Sequence, residues 1–299
     1  MSTPRSLAGA DAQTRVLFIW QVPDDLRGFL ADRLQAEPVS LLFPSTASPE
    51  ELHELAADAD ILIGWSPTPE LLDTAERMRL FICPAAGVEG IRGLFRELQD
   101  RRTFTFVNGH GNSYLVAQHA VSLLLALNNK IVPHHNWTSQ GQWRTGDREG
   151  ASVPLRDRTV GLLGYGAVNR RVHRFLSGFD LSFAALKRHP QTLPEAGGDP
   201  LKCFGPEQSS AFLELIDVLM IALPATPETI GVIGSRELAR LGRAGLLVNV
   251  ARGPIVKQAD LYDALQRSVI AGAAIDVWYE ESPTPGPDGR VYPYAKPFH

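Results

Sequence analysis

The residues best placed to do chemistry stand at the ends of apolar runs. Arg252 follows LLVNVA (Leu246–Ala251) and precedes Gly253. A guanidinium there can grip a carboxylate through paired N–H donors, anchoring and polarising its bearer. Asp276 closes a second run, AGAAID, and Glu281 follows shortly after it, beside Glu280. Upstream, Gly164 and Gly166 in GLLGYGAVNRRVHRFL lie between a strand-like run and an Arg-rich helical one. Glycines there allow a tight turn, and let a pyrophosphate approach the backbone of Tyr165, Gly166, Ala167 and Val168 at a helix N-terminus. The third glycine of such a fingerprint is Asn169 here. After the next run, FAAL, come Lys187 and Arg188, where an acidic residue would select a ribose 2′-hydroxyl. Two cations suit a 2′-phosphate, so NADP is the expected cofactor and NAD the alternative.

These positions need a scaffold that ends several strands at one edge. From Val16 onward short apolar runs alternate with amphipathic segments. VLFIW, VSLLF, ILIGW, LFIC and FTFV come first; TVGLLG, LSFAAL, VLMIAL, GLLVNV and AGAAIDV follow from Thr159. Two βα series of this kind predict an α/β protein with two doubly wound parallel sheets. Between them YLVAQHAVSLLLALNNKI, from Tyr114 to Ile131, predicts one long helix, apolar on most faces and suited to burial between domains. In it His119 reads as a core residue. GQWRTGDREG, over 141–150, reads as a connecting loop. The expected division is a substrate domain over 1–110, a nucleotide domain over 111–285, and an irregular tail over 286–299 returning toward the first domain.

Composition narrows the function. The chain has 299 residues, 44% of them hydrophobic and 21% charged, and a net charge of −4. That balance fits a soluble two-domain protein and gives no cationic surface for nucleic acid. Cys83 and Cys203 are too few for a disulfide framework and read as reduced core residues of a cytoplasmic protein. No run approaches the length of a membrane span, and no apolar stretch suggestive of a signal peptide precedes Val16.

Together VGLLGYGAVNR, LLVNVARGPIV and AGAAIDVWYEE, in that order, resemble the NAD(P)-dependent D-2-hydroxyacid dehydrogenase family, and VNVARG matches its motif residue for residue. The likeness implies a flavodoxin-like substrate domain joined to a Rossmann nucleotide domain. It implies that Arg252 binds substrate, that Ala251 lines the cofactor site, and that Asp276 contacts the nicotinamide carboxamide. Glu281 would hydrogen-bond a catalytic His. PAAGVEGI resembles the loop whose backbone, at Gly87 and Val88, holds the substrate carboxylate. NGHGNSYLVAQHAV resembles the hinge, with His110 and Asn112 nearest the substrate, and LPATPET (Leu223, Pro224, Thr229) resembles the loop near the nicotinamide ribose.

The family's catalytic His stands in a Pro-His pair after a further strand, and no such pair lies between Glu281 and His299. A lost tail or a shortened member are the two expectations. His299 itself, at the terminus, is poorly placed to be held as the base. The expected activity is hydride transfer between NAD(P)H and a small 2-oxo or 2-hydroxy acid, in a homodimer joined through the nucleotide domain, to which the apolar helix contributes. The alternative is a catalytically silent dinucleotide-binding sensor or scaffold.

Overall fold

Short apolar runs, each too short for a helix, form all but one of the described strands of two parallel sheets. The computed structural model describes residues 13–143, 150–190, 201–280, 283–286 and 289–295. Glu281, His299, the core of the expected loop over 141–150 and part of the expected tail lie outside the described residues. Two units result, Met1–Gly111 and Asn112–His299.

The first unit holds β1 (Thr14–Phe18), α1 (Asp24–Leu34), β2 (Val39–Leu42), α2 (Pro49–Ala56), β3 (Ile61–Ile63), α3 (Pro69–Thr74), β4 (Leu80–Cys83), α4 (Arg92–Gln99) and β5 (Thr105–Asn108). Its strands lie in the order β2-β1-β3-β4-β5, all parallel, the flavodoxin-like winding. Leu17, Leu62, Leu72, Phe81 and Leu98 fill one core of the unit, and Val16, Phe18 and Val22 a smaller one. Entry to α2 is tightly specified: Ser48 Oγ accepts from the Glu51 N–H at 3.3 Å. The Glu51 carboxylate in turn accepts from the backbone N–H groups of Ser45, Thr46 and Ala47 and from both hydroxyls. Those donors, the Thr46 hydroxyl foremost, hold its pKa down at about 2.

The second unit holds α5 (Ser113–Asn128), α6 (Ile131–Ser139), β6 (Thr159–Leu163), α7 (Ala167–Leu176), β7 (Ser182–Leu186), β8 (Leu201–Phe204), α8 (Ser209–Leu215), β9 (Val218–Ile221), α9 (Ser235–Leu241), β10 (Leu246–Asn249), α10 (Gln258–Gln266) and β11 (Gly272–Ile275). Its parallel sheet runs β11-β10-β9-β6-β7-β8, the Rossmann order with its switch point between β6 and β9. All four residues of β9 and of β10 are buried, as strands covered on both faces must be. Leu162, Met220 and Val248 lie in the core cluster that includes α5 residues, and Leu219, Ile221 and Leu247 in the other.

Three expectations need correction. The helix expected from Tyr114 to Ile131 is two helices bent by 60°, because Lys130 takes the left-handed conformation (φ 54°) and Pro133 falls in the first turn of α6, where its missing N–H costs nothing. Nor is α5 apolar on most faces in a buried sense: Ala117, Ala120, Leu124 and Asn128 are buried, while Tyr114 and Leu115 are exposed. Cys203 is only partly buried, on the edge strand β8, a strand that the short mixed run LKCF does not advertise; Cys83 is buried as expected. Both thiols are free. Among the described residues no single helix is long and apolar enough to cross a membrane, and no cluster of His, Cys, Asp and Glu could hold a metal.

Candidate active site

In an open parallel sheet ligands bind beyond the carboxyl ends of the strands, where the strand order reverses. The glycine turn sits there, between β6 and α7. Gly164 has φ +81°, and a Cβ on it would come within 2.8 Å of the Ala222 carbonyl and 2.9 Å of Leu223 Cβ. Only glycine brings the end of β6 this close to the loop after β9. Gly166 differs, since a Cβ there would meet nothing within 4 Å. The space before the turn is therefore open, and the N-terminus of α7 has no side-chain cap. Open space at a helix N-terminus fits a dinucleotide pyrophosphate.

Asn169 fills the third fingerprint position in its own way. It is 1% exposed, and its Nδ2 donates to the carbonyls of Gly164 at 2.7 Å, Met220 at 3.2 Å and Leu163 at 3.3 Å. The amide ties the turn to both neighbouring strands, where a glycine would secure only close packing. Tyr165 turns inward: its hydroxyl lies 2.8 Å from His173 Nδ1, and His173 packs on Phe183. Burial raises the Tyr165 pKa, so the phenol stays protonated. Its side chain is thus structural, and contact with a cofactor falls to its backbone. Ala167 and Val168 lie in the first turn of α7, both half-buried.

The neighbouring strand ends converge on this turn. Gly164 N–H donates to the Leu186 carbonyl at 2.9 Å, which sets Lys187 and exposed Arg188 immediately past β7 beside it. Burial raises the Cys203 thiol pKa, with Lys187 acting in the opposite direction. In the loop after β9 the Thr229 hydroxyl donates to the Pro224 carbonyl and accepts from Thr226 N–H, both at 2.7 Å, so it pins the loop. Leu223 packs on Gly164 and Pro224 is exposed.

Beyond β10, Asn249 is 1% exposed and shapes the turn that carries Arg252. Its Oδ1 accepts from Ala251 N–H and its Nδ2 donates to the Arg252 carbonyl, each at 3.0 Å. A buried Asn within an otherwise apolar strand was the available signal for this role. Arg252 is half-buried, with Nη1 2.7 Å from the Ala251 carbonyl. Gly253 abuts the Trp278–Tyr279 backbone, where a Cβ would lie 2.0 Å from the Trp278 carbonyl oxygen. Burial pushes the Tyr279 pKa up to about 12. Asp276 follows β11, and its N–H donates to the Asn249 carbonyl at 3.0 Å.

His119 is not a core residue. It lies off the stripe formed by Ala117, Ala120 and Leu124, its side chain is 51% exposed, and its Nε2 is 3.1 Å from Asp276 Oδ1. Helical periodicity marks this stripe, but an apolar neighbourhood on all sides hides which residues it leaves out. Asn112 is exposed and precedes the first residue of α5. In the first unit Gly87 and Val88, both partly buried, follow β4; Asn108 Nδ2 holds this loop through the Ala86 carbonyl at 2.8 Å, and the Val88 carbonyl accepts from Ile91 and Arg92 N–H at the start of α4.

A Rossmann sheet with a glycine turn at its switch point and an Arg and an Asp at adjacent strand ends defines a nicotinamide-dinucleotide oxidoreductase fold. Residues 121–292 match the NAD-binding domain model of the D-isomer specific 2-hydroxyacid dehydrogenases. The chain belongs to this family, a class of NAD(P)-dependent oxidoreductases that move a hydride between NAD(P)H and a 2-oxo or 2-hydroxy acid. It is 30% identical to the glyoxylate reductase of Thermococcus gammatolerans over 243 residues, 78% of this chain and 70% of that protein. It is 27% identical to the glycerate dehydrogenase of Methylorubrum extorquens over 82% of this chain and 75% of that protein. The D-3-phosphoglycerate dehydrogenase of Archaeoglobus fulgidus is 30% identical, but only 40% of its length is covered, against 72% of this chain. Among solved structures, an NADPH-dependent glyoxylate/hydroxypyruvate reductase of Sinorhizobium meliloti aligns with TM-score 0.69 and 26% identity, covering 91% of this chain and 82% of that one.

Proposed function

We propose that this protein reduces a small 2-oxo acid, of the size of glyoxylate or hydroxypyruvate, with NADPH. The observation that carries the cofactor choice is the position of Lys187 and Arg188, past β7 and held beside the glycine turn by the Gly164–Leu186 hydrogen bond. Their charges complement a 2′-phosphate at that corner. The likeness to glyoxylate reductases, one of them NADPH-dependent, supports the substrate class. When bound, the dinucleotide supplies the hydride. The backbone of Gly166, Ala167 and Val168 holds its pyrophosphate, with Leu223, Pro224, Thr229 and Ala251 beside its nicotinamide half. Asp276 accepts from the carboxamide. Arg252 grips the carboxylate and keto oxygen of the substrate, and Asn112 stands by it. Glu281 would hydrogen-bond the general acid that protonates the nascent hydroxyl. The active form is a cytoplasmic homodimer; the free thiols Cys83 and Cys203 suit a reducing compartment.

Equilibrium titration with NADPH and NADH tests the cofactor choice. NADPH should bind at least about tenfold more tightly, and Lys187→Ala with Arg188→Ala should remove most of that difference. Equal affinity for the two nucleotides in the unaltered protein would refute it.

A further inference from the structure

The His119–Asp276 pair has no evident part in building the fold. Both side chains are about half exposed, 51% and 41%. An ion pair so open to solvent contributes little stability, and the packing of α5 rests on Ala117, Ala120, Leu124 and Asn128. Yet the geometry that brings the two together is well determined. Helix α5 runs antiparallel to β11, with Leu127 seated on Gly272, where a Cβ would approach Leu127 Cδ1 to 3.0 Å. From Leu127 back to His119 the helix travels about 12 Å, and from Gly272 to Asp276 the strand travels about 13 Å. The matched lengths deliver His119 to the carboxyl edge of the sheet, level with Asp276. There the Asp276 backbone is already anchored by the Asn249 carbonyl, the same Asn249 that shapes the Arg252 turn. What remains to be fixed is the direction of the Asp276 carboxylate, and His119 Nε2 fixes it through Oδ1.

We infer that His119 is a positioning residue for the nicotinamide end of the dinucleotide. Its Nε2–H holds Asp276 Oδ1, leaving Oδ2 to accept from the carboxamide N–H. Either the imidazolium or the neutral Nε2–H tautomer makes this bond. The inference rests on the reading of Asp276 as the carboxamide partner, so its test separates the two.

The test is a direct binding titration of the full chain with two probes: NADPH, and 2′-phospho-ADP-ribose, which lacks the nicotinamide. Thermal melting confirms that each variant folds. His119→Phe should weaken NADPH binding about fivefold to tenfold, the loss of one charge-assisted hydrogen bond, and leave the fragment within about twofold. His119→Gln, whose amide N–H reaches a similar position, should recover most of the loss. A Phe variant that binds NADPH normally while Asp276→Ala does not would overturn the role of His119 and leave that of Asp276 standing. Equal weakening of NADPH and of the fragment would reduce His119 to a structural residue. Normal binding in both variants would remove the Asp276 reading and the inference with it.

Discussion

Gly164 and Gly166 share one turn but answer to different constraints, and substitution separates them. Gly164→Ala forces a left-handed residue against the Ala222 carbonyl and should cost about 1–3 kcal/mol in denaturant unfolding. Gly166→Val enters open space, so stability should change by less than about 0.5 kcal/mol, while nucleotide affinity falls at least about tenfold as the branched side chain occupies the phosphate approach. A destabilised Gly166→Val with intact binding would contradict the placement of the pyrophosphate. Asn169→Leu removes three donor contacts to buried carbonyls, with an expected loss of about 1–3 kcal/mol by the same unfolding measurement. The places of the glycine turn and of Arg252 past strand ends were legible in the sequence because each follows directly on an apolar run. The inward turn of Tyr165 and the pairing of His119 were not, since each depends on which neighbour a side chain meets across elements.

At the scale of elements, the entry to α2 carries a pH signature. Glu51 has its pKa lowered to about 2 by donors that exist only in the folded loop. A depressed carboxylate stabilises the native state above its unfolded pKa, and this contribution disappears as pH falls through about 2. Between about pH 5 and pH 2 the stability of the first unit should therefore decline with acid, and Glu51→Gln should flatten that part of the profile in pH-dependent unfolding. An unchanged slope in the variant would show that the loop donors do not favour the carboxylate. The ten strands read from apolar runs were recoverable because strands of parallel sheets are nearly continuous in hydrophobic residues. The edge strand β8 escaped notice because Lys202 interrupts it, and the break after α5 escaped because the apolar pattern continues across Lys130.

At the scale of the whole molecule, α5 and α6 expose several large apolar side chains among polar ones. Leu115 is 66% exposed and Val132 61% exposed, Tyr114 and Ile131 are exposed as well, and α6 buries none of its residues. Exposed apolar surface of this kind is characteristic of interfaces. If the proposed homodimer forms through this surface, Leu115→Asp combined with Val132→Asp should give a monomer by light scattering, with the melting curve of the first unit little changed. A variant that stays dimeric would place the interface elsewhere. The central claim, reduction of a small 2-oxo acid, is tested most directly by the nicotinamide absorbance of NADPH mixed with hydroxypyruvate and the protein purified at its native length. Stoichiometric loss of that absorbance, abolished by Arg252→Ala with nucleotide binding retained, is the predicted result. Tight NADPH binding with no oxidation by hydroxypyruvate, glyoxylate or other short 2-oxo acids would contradict it.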